Sequence, residues 1–305
     1  MTETEKQLLK IIADMDGAPA GAYNIRANGA LDSRAVTENI DIKTKTDKPG
    51  IDIIIRPGTK GEEVHIPVII SKTGLSDLVY NDFIVGENSD VTIVAGCGIH
   101  NCGDDESRHD GIHTFYVGKN ARVKYIERHY GEGEGNGARD MNPTTVVNLS
   151  EGSYMEMETS QIDGIDSTNR VTRGVVEKNA TLVIHEKIRT CGGQHAETDF
   201  KVDLNGEGAG TNVISRSVAK DKSTQVFRSR INGNAPCNGH TECDAIIMNE
   251  AHVSAIPELS ANNIDASLIH EAAIGKIAGE QLTKLMTLGL TEEQAENEIV
   301  NGFLK

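Results

Sequence analysis

A chain of 305 residues with 37% hydrophobic and 4% aromatic residues, no Trp and 31 Gly is poorly supplied with core-forming side chains, so many short strands and tight turns suit it better than one thick apolar core. A formal net charge of −16 repels a phosphate backbone, which argues against a nucleic-acid partner and leaves solubility as the ordinary use of the charge. No apolar run approaches the ~20 residues of a membrane helix, the opening MTETEKQLLK lacks a signal-peptide core, and an odd count of five Cys argues against a disulfide framework; the chain is expected to be soluble and cytoplasmic.

From Glu3 to Met15, apolar residues Leu8, Leu9, Ile11, Ile12 and Met15 fall at helical spacing, and DGAPAG then ends the helix. Residues 1–38 are therefore expected to form a helical and irregular segment. From about Asn39 the pattern changes to period two, in IDIIIRPG, EVHIPVIIS and FIVGENSDVTIV, with Gly, Asn and Pro as punctuation. One element then recurs: VGENSDVTIV from Val85, VGKNARVKYI from Val117, LSEGSYMEME from Leu149, VEKNATLVIH from Val176 and a looser LNGEGAGTNV from Leu204. The starts are 32, 32, 27 and 28 residues apart. Each copy is an apolar residue, a polar pair, then Asn or Gly and a new strand. Asn and Gly tolerate the left-handed backbone that turns a strand tightly. A period in this range points to a solenoid. Strand–turn–strand units without helices favour a parallel β-helix over residues 39–265, with a two-sheet sandwich as the competitor that periodicity leaves open.

Within this region, GCGIHNCGDDESRHDGIH gathers Cys97, His100, Cys102, His109 and His113. Two Cys five positions apart, with no second pair, do not match a zinc knuckle, and turn and ladder hydrogen bonding is the expected role. GEGEGNGARD reads as a flexible loop, because no phosphate-binding G-x-x-x-x-G-K-[ST] occurs in the chain. The protein is therefore not expected to be an ATPase. Cys191, beside two glycines, and Cys237, six residues before Cys243, are candidate relay thiols, since thiolates are the nucleophiles of persulfide transfer.

Cys243 precedes His270 by 27 residues and Glu271 by 28, the same intervals as the last repeats. In a β-helix, residues one coil apart stack at roughly 4.8 Å, so the thiol is expected beside one member of the pair. Neighbouring residues of a strand face opposite ways, so His270 and Glu271 cannot both share its side unless the strand bulges. One chain then offers two or three ligands where clusters and transition metals want about four, and a symmetric dimer would double the set. Residues 266–305 read as a C-terminal helical segment. GEQLTKLMTLG places Leu282, Leu285 and Met286 on one face and ends at Gly289. TEEQAENEIVNGF opens with a capping box, Thr291 and Gln294, with Ala295, Ile299 and Phe303 as its buried face.

Three segments carry a resemblance beyond composition: HTECDAIIMNEAHVSAIPEL, ESRHDGIHTFYVG and, almost throughout, SLIHEAAIGKIAGEQLTKLMTLGLTEEQAENEIVNGF. They resemble the SufB/SufD family of iron–sulfur cluster assembly proteins, over roughly Asn39 to Lys305. The resemblance implies a right-handed parallel β-helix core with a C-terminal helical segment that binds SufC, an ABC-type ATPase. It implies a non-catalytic scaffold of the SufB type, holding a transient iron–sulfur cluster and meeting a sulfur donor and recipient apo-proteins. Cys243 aligns with the cysteine implicated in accepting sulfur, and His270 and Glu271 with a His-Glu pair implicated in cluster binding. Ile269 stands where SufB chains often carry a further Glu, and the long N-terminal region of larger SufB proteins is missing. The chain therefore resembles a minimal archaeal-type form acting as a homodimer. Nothing in the residues supports a flavin. A SufD-like subunit that only positions the ATPase is the alternative. A β-helix enzyme on acidic polysaccharide lacks the expected groove of carboxylates and basic residues.

Overall fold

Alternating apolar and polar residues make strands, and residues that accept positive φ end them. Asn88, Asn120, Gly152, Asn179 and Gly208, the turn positions of the five repeat copies, all have φ between 54° and 72°. In the computed structural model, which describes all 305 residues, these turns join two facing sheets. Helix α1 (Glu3–Ala13) leads to the hairpin β1 (Ala22–Ala27) and β2 (Ala30–Ala35), then to a second hairpin, β3 (Ile40–Thr44) and β4 (Gly50–Ile55). The strands that follow alternate between sheets: β5 (Lys60–Ile70), β6 (Ser76–Val85), β7 (Asp90–His100), β8 (Ser107–Val117) and β9 (Arg122–Glu132). After the short β10 (Arg139–Met141) and β11 (Thr144–Leu149) come β12 (Tyr154–Asp163), β13 (Ser167–Val176), β14 (Thr181–Thr190) and β15 (His195–Leu204). The last coils hold β16 (Ala209–Ala219), β17 (Thr224–Gly233), β18 (Cys237–Ile247), β19 (His252–Ala261) and β20 (Ala266–Gly275), followed by α2 (Gly279–Thr287) and α3 (Glu292–Phe303).

The first sheet runs β2-β1-β5-β7-β9-β12-β14-β16-β18-β20 and the second β19-β17-β15-β13-β10-β8-β6-β4-β3, with β11 pairing β8 and β13. All pairs are parallel except the two N-terminal hairpins. The result is a parallel β-solenoid of about eight turns, and parallel stacking removes the sandwich as an alternative. The repeat periods are the coil lengths themselves. Val85 pairs with Val117, Val117 with Leu149, Leu149 with Val176 and Val176 with Leu204. All five are at most 2% exposed, so each contributes about 1.5–3 kcal/mol of burial.

The interior is apolar on one side and polar on the other. A cluster of 35 buried residues fills the apolar side, including the stacked rings of Phe83 and Phe115 with Tyr125 edge-on. Helix α1 lies on the outer face of the first sheet, burying Leu8, Leu9 and Ile12 against Ile69 and Val94. Its Thr2–Glu5 capping box fixes where it starts. The N-terminal end of the solenoid is closed by the two hairpins, with Ile40, Ile42, Ile51 and Ile53 inside.

Several boundaries differ from the sequence expectation. Strands β1 and β2 lie within 1–38, where weak alternation and an outward-facing β2 hid them. Strand β20 occupies the first ten residues of the segment read as helical. In α3, Val300 rather than Ile299 is the deeply buried partner of Ala295, and it packs with Phe303 against Val218 and Met248. The GEGEGNGARD loop is not loose. Gly135 and Gly137 donate backbone bonds to Asn101 and Gly103 of the preceding coil, and a Cβ on either would meet that backbone within 2.1–2.3 Å.

Candidate functional site

Strands β18 and β20 carry the sequence-predicted residues, and their register decides what meets what. Cys243 pairs with Ala272, Thr241 with His270, and Glu242 with Glu271. The thiol is therefore not beside His270 or Glu271. The preceding coil is 28 residues, Ser215 to Cys243, but the last is 29. Four residues, Asn262 to Asp265, span the turn into β20, one more than the Asn234–Pro236 turn into β18. That extra residue moves the pairing by one step. Paired residues of parallel strands share a face, and faces alternate along each strand. Cys243, Thr241 and His270 thus face inward, with His270 a diagonal neighbour of Cys243 at ~7–8 Å between positions. Glu271 faces outward, beside Glu242.

Cys243 is 1% exposed. Burial, with the Glu186 and Asp244 charges adding to it, pushes its thiol up to about 12. It continues an interior row of the first sheet made by Glu127, Thr159, Glu186 and Ser215, and Ala272 follows it. His270 Nδ1 and Thr241 Oγ1 are buried without a hydrogen-bond partner, which is costly unless something else satisfies them.

The polar side of the interior is a connected network. Asn81 donates to His113 Nε2 (3.3 Å), His113 Nδ1 to Tyr125 Oη (2.8 Å), and Tyr125 to Glu127 Oε1 (2.9 Å). Because Tyr125 donates to a carboxylate, its oxygen accepts from His113 Nδ1–H, and because Nε2 accepts from Asn81 the imidazole is neutral. Arg170 donates to Glu127 and to His129 Nδ1. Thr198 and Ser215 donate to Glu186. Burial would raise the Glu127 carboxyl, but His129 and Arg170 hold it well below its usual range. Burial lowers His113 to about 4. Burial raises Glu186, against the pull of Arg170. Sequence reading missed Glu127, Arg170 and Glu186. Their signal was a charged residue at an inward position of an otherwise alternating strand.

The Cys97–His113 group converges only in part: Cys97, His109 and His113 line one small interior pocket together with Glu127 and His129, and His100 and Cys102 stand apart from it. Cys97, His109 and His113 are buried on inward faces, while Cys102 is exposed with its sulfur 3.0 Å from His100 Nε2. The HDGIH stretch takes its expected place in the ladder, with His109 and His113 paired to β6 on one side and to β10 and β11 on the other; beyond that role the His113 side chain joins the network, and His109 Nδ1 lies 3.4 Å from Asp77. Cys237 is buried on the same strand and face as Cys243, six residues away, or ~20 Å at the strand rise. Cys191 is half-buried in the turn after β14, its thiol donating to Gln194. Leu282 and Leu285 are half-buried and Met286 is 44% exposed; α2 buries no residue. A cavity of about 510 Å³ on the outer face of the first sheet is walled by Arg128, Glu158, His185, Lys187 and Arg216, and none of the sequence-predicted site residues lines it.

The family described as SUF system FeS cluster assembly, SufBD core domain, matches residues 70–303. An iron–sulfur cluster assembly SufBD family protein of Archaeoglobus fulgidus is 31% identical over 250 residues, 80% of this chain and 66% of the relative. One from Methanocaldococcus jannaschii is 29% identical over 258 residues, 83% of this chain and 79% of the relative. One from Methanothermobacter thermautotrophicus strain Delta H is 32% identical over 237 residues, 74% of this chain and 54% of the relative. The chain thus spans from about half to about four fifths of these relatives' lengths.

Proposed function

The chain belongs to the SufBD family of iron–sulfur cluster assembly proteins, and we propose that within it this protein is a SufB-type scaffold that accepts sulfur and iron and builds a transferable cluster. The observation that carries this reading is the inner face of the last coil. There a buried thiol, Cys243, and an imidazole with an unpartnered nitrogen, His270, stand as diagonal neighbours at an end of the solenoid that nothing covers. Leu259 of the inward face is 36% exposed and Ile264 of the last turn 97% exposed. The cluster is cargo here: thiolate and imidazole are its ligands from this chain, and a second chain across the open end supplies the rest. The chain itself is read as non-catalytic, with ATP hydrolysis assigned to a SufC-type partner that docks on α2.

Anaerobic reconstitution with iron and sulfide tests the reading. Wild type is expected to turn brown with acid-labile sulfide, and correctly folded Cys243→Ser to stay colourless. Full cluster in Cys243→Ser would place the site elsewhere, with Cys97 and Cys102 next in line. A second reading, a SufD-like subunit that only positions the ATPase, draws on the outward direction of Glu271 and the sealed thiol. It predicts colourless wild type that still binds SufC.

A further inference from the structure

We propose that His240, Glu242 and Glu271 form a mononuclear site for a divalent first-row transition cation on the outer face of β18 and β20. Their ligand atoms all lie within 4.8 Å of one another, and His240 Nε2 is 3.5 Å from Glu271 Oε2. The backbone builds the group. Glu242 and Glu271 are directly paired across the ladder, and His240 stands two residues before Glu242 on the same face. Asn212, paired with His240 on the next strand inward, holds the ring: its Oδ1 is 2.8 Å from His240 Nδ1. An amide oxygen only accepts, so Nδ1 carries the proton and Nε2 presents its lone pair to the two carboxylates. Fixing one ring nitrogen through a hydrogen bond is how proteins orient a metal-binding imidazole.

Charge makes the same case. Like charges directly opposite on paired strands repel, and Asp244 adds a third carboxylate on this face. Arg216 stands on the rung of Asp244 rather than between Glu242 and Glu271, and the group facing Glu271 is the His240 ring, 3.5 Å away. One imidazole and two carboxylates suit Fe²⁺, Mn²⁺, Co²⁺ or Zn²⁺, and two negative charges balance the ion. Three protein ligands leave positions for water or an incoming ligand, as in sites that exchange what they hold. The Glu271 side chain is 67% exposed, so the site is open to solvent. Cys243 lies on the opposite face of the strand and cannot be a fourth ligand. Under the assembly reading, and resting on it, the natural ion is ferrous iron delivered as substrate.

Anaerobic titration of the full-length chain with Co²⁺ tests the site through the visible absorption of the bound ion. Wild type is expected to saturate with one Co²⁺ and to show no thiolate-to-cobalt charge-transfer band. His240→Ala and Glu242→Gln should each weaken binding by about tenfold or more, with circular dichroism unchanged because both positions are only half-buried on the outer face. Cys243→Ser should bind Co²⁺ as wild type does, and Fe²⁺ should displace it. The proposal is overturned by wild type that does not saturate, by outer-face variants that bind normally, by loss of Co²⁺ in Cys243→Ser, or by Fe²⁺ failing to compete. The cluster reading instead stands or falls on reconstitution of Cys243→Ser, so the two can fail separately.

Discussion

Cys243 combines a demanding role with an inhospitable position. A thiol held near 12 is neutral at physiological pH, and ligation of iron must first remove its proton. Each pH unit below that value costs ~1.4 kcal/mol, so iron affinity at Cys243 should rise about tenfold per pH unit between about pH 7 and 9. Iron titrations of wild type against Cys243→Ser will show this; a flat profile would mean the thiolate is formed some other way. His113 offers a separate check on the interior network. Its folded value of about 4 lies below the ordinary 6.5, so between these values the unfolded chain binds a proton that the folded chain refuses. The stability it contributes is therefore complete above 6.5 and lost as pH falls through about 4, to a limit of ~3 kcal/mol. Urea midpoints at about pH 7 and 4.5 should fall further for wild type than for His113→Gln; equal losses would show that another group governs acid unfolding.

The elements at the C-terminus divide their labour. Helix α3 is anchored, with Ala295 and Val300 buried and Lys220 paired to Glu296. Helix α2 buries nothing, yet carries Leu282, Leu285 and Met286 along one face, with Leu288 76% exposed just beyond its end. An amphipathic helix laid into an apolar groove uses such a face. Truncation after Ala278 should abolish co-purification with SufC while leaving the β signal in circular dichroism. Undiminished co-purification would remove α2 from the interface.

Whole-molecule behaviour follows from the unequal ends of the solenoid. The N-terminal end is closed by hairpins and by α1 alongside. The C-terminal end exposes two edge strands, and they differ. Strand β19 contains Pro257, which lacks an N–H and blunts an edge, whereas β20 has no Pro, Lys or Arg in ASLIHEAAIG. Ile269 and Ile274 of that strand are 52% and 39% exposed. An unprotected edge of this kind pairs with its own copy across a two-fold axis, so light scattering at micromolar concentration should find a dimer. Ala272→Pro, which removes a ladder donor and stiffens β20, should shift it toward monomer; a wild-type monomer, with and without SufC, would refute edge pairing.

Much of this protein was legible in the linear order of its residues. Asn and Gly at the repeat turns marked the left-handed corners, the 32-, 32-, 27- and 28-residue intervals were the coil lengths, and Thr291 and Gln294 began α3 where the capping box said. These features are local, or repeat at fixed spacing, so short-range sterics and periodicity reveal them. These features favour a solenoid, because stacking coils lets a thin, alternating, Gly-punctuated chain bury its apolar residues, and the parallel pairing of the strands is what excludes a sandwich. The site was another matter. One extra turn residue before β20 moved Cys243 opposite Ala272 and set His240 and Glu242 beside Glu271, and no local pattern announces such a shift. Since strand faces alternate with a period of two, a single step of register decides which side chains meet. Only the stacked sheets settle that, as they settle that Glu127, Arg170 and Glu186, far apart in sequence, neutralise one another inside.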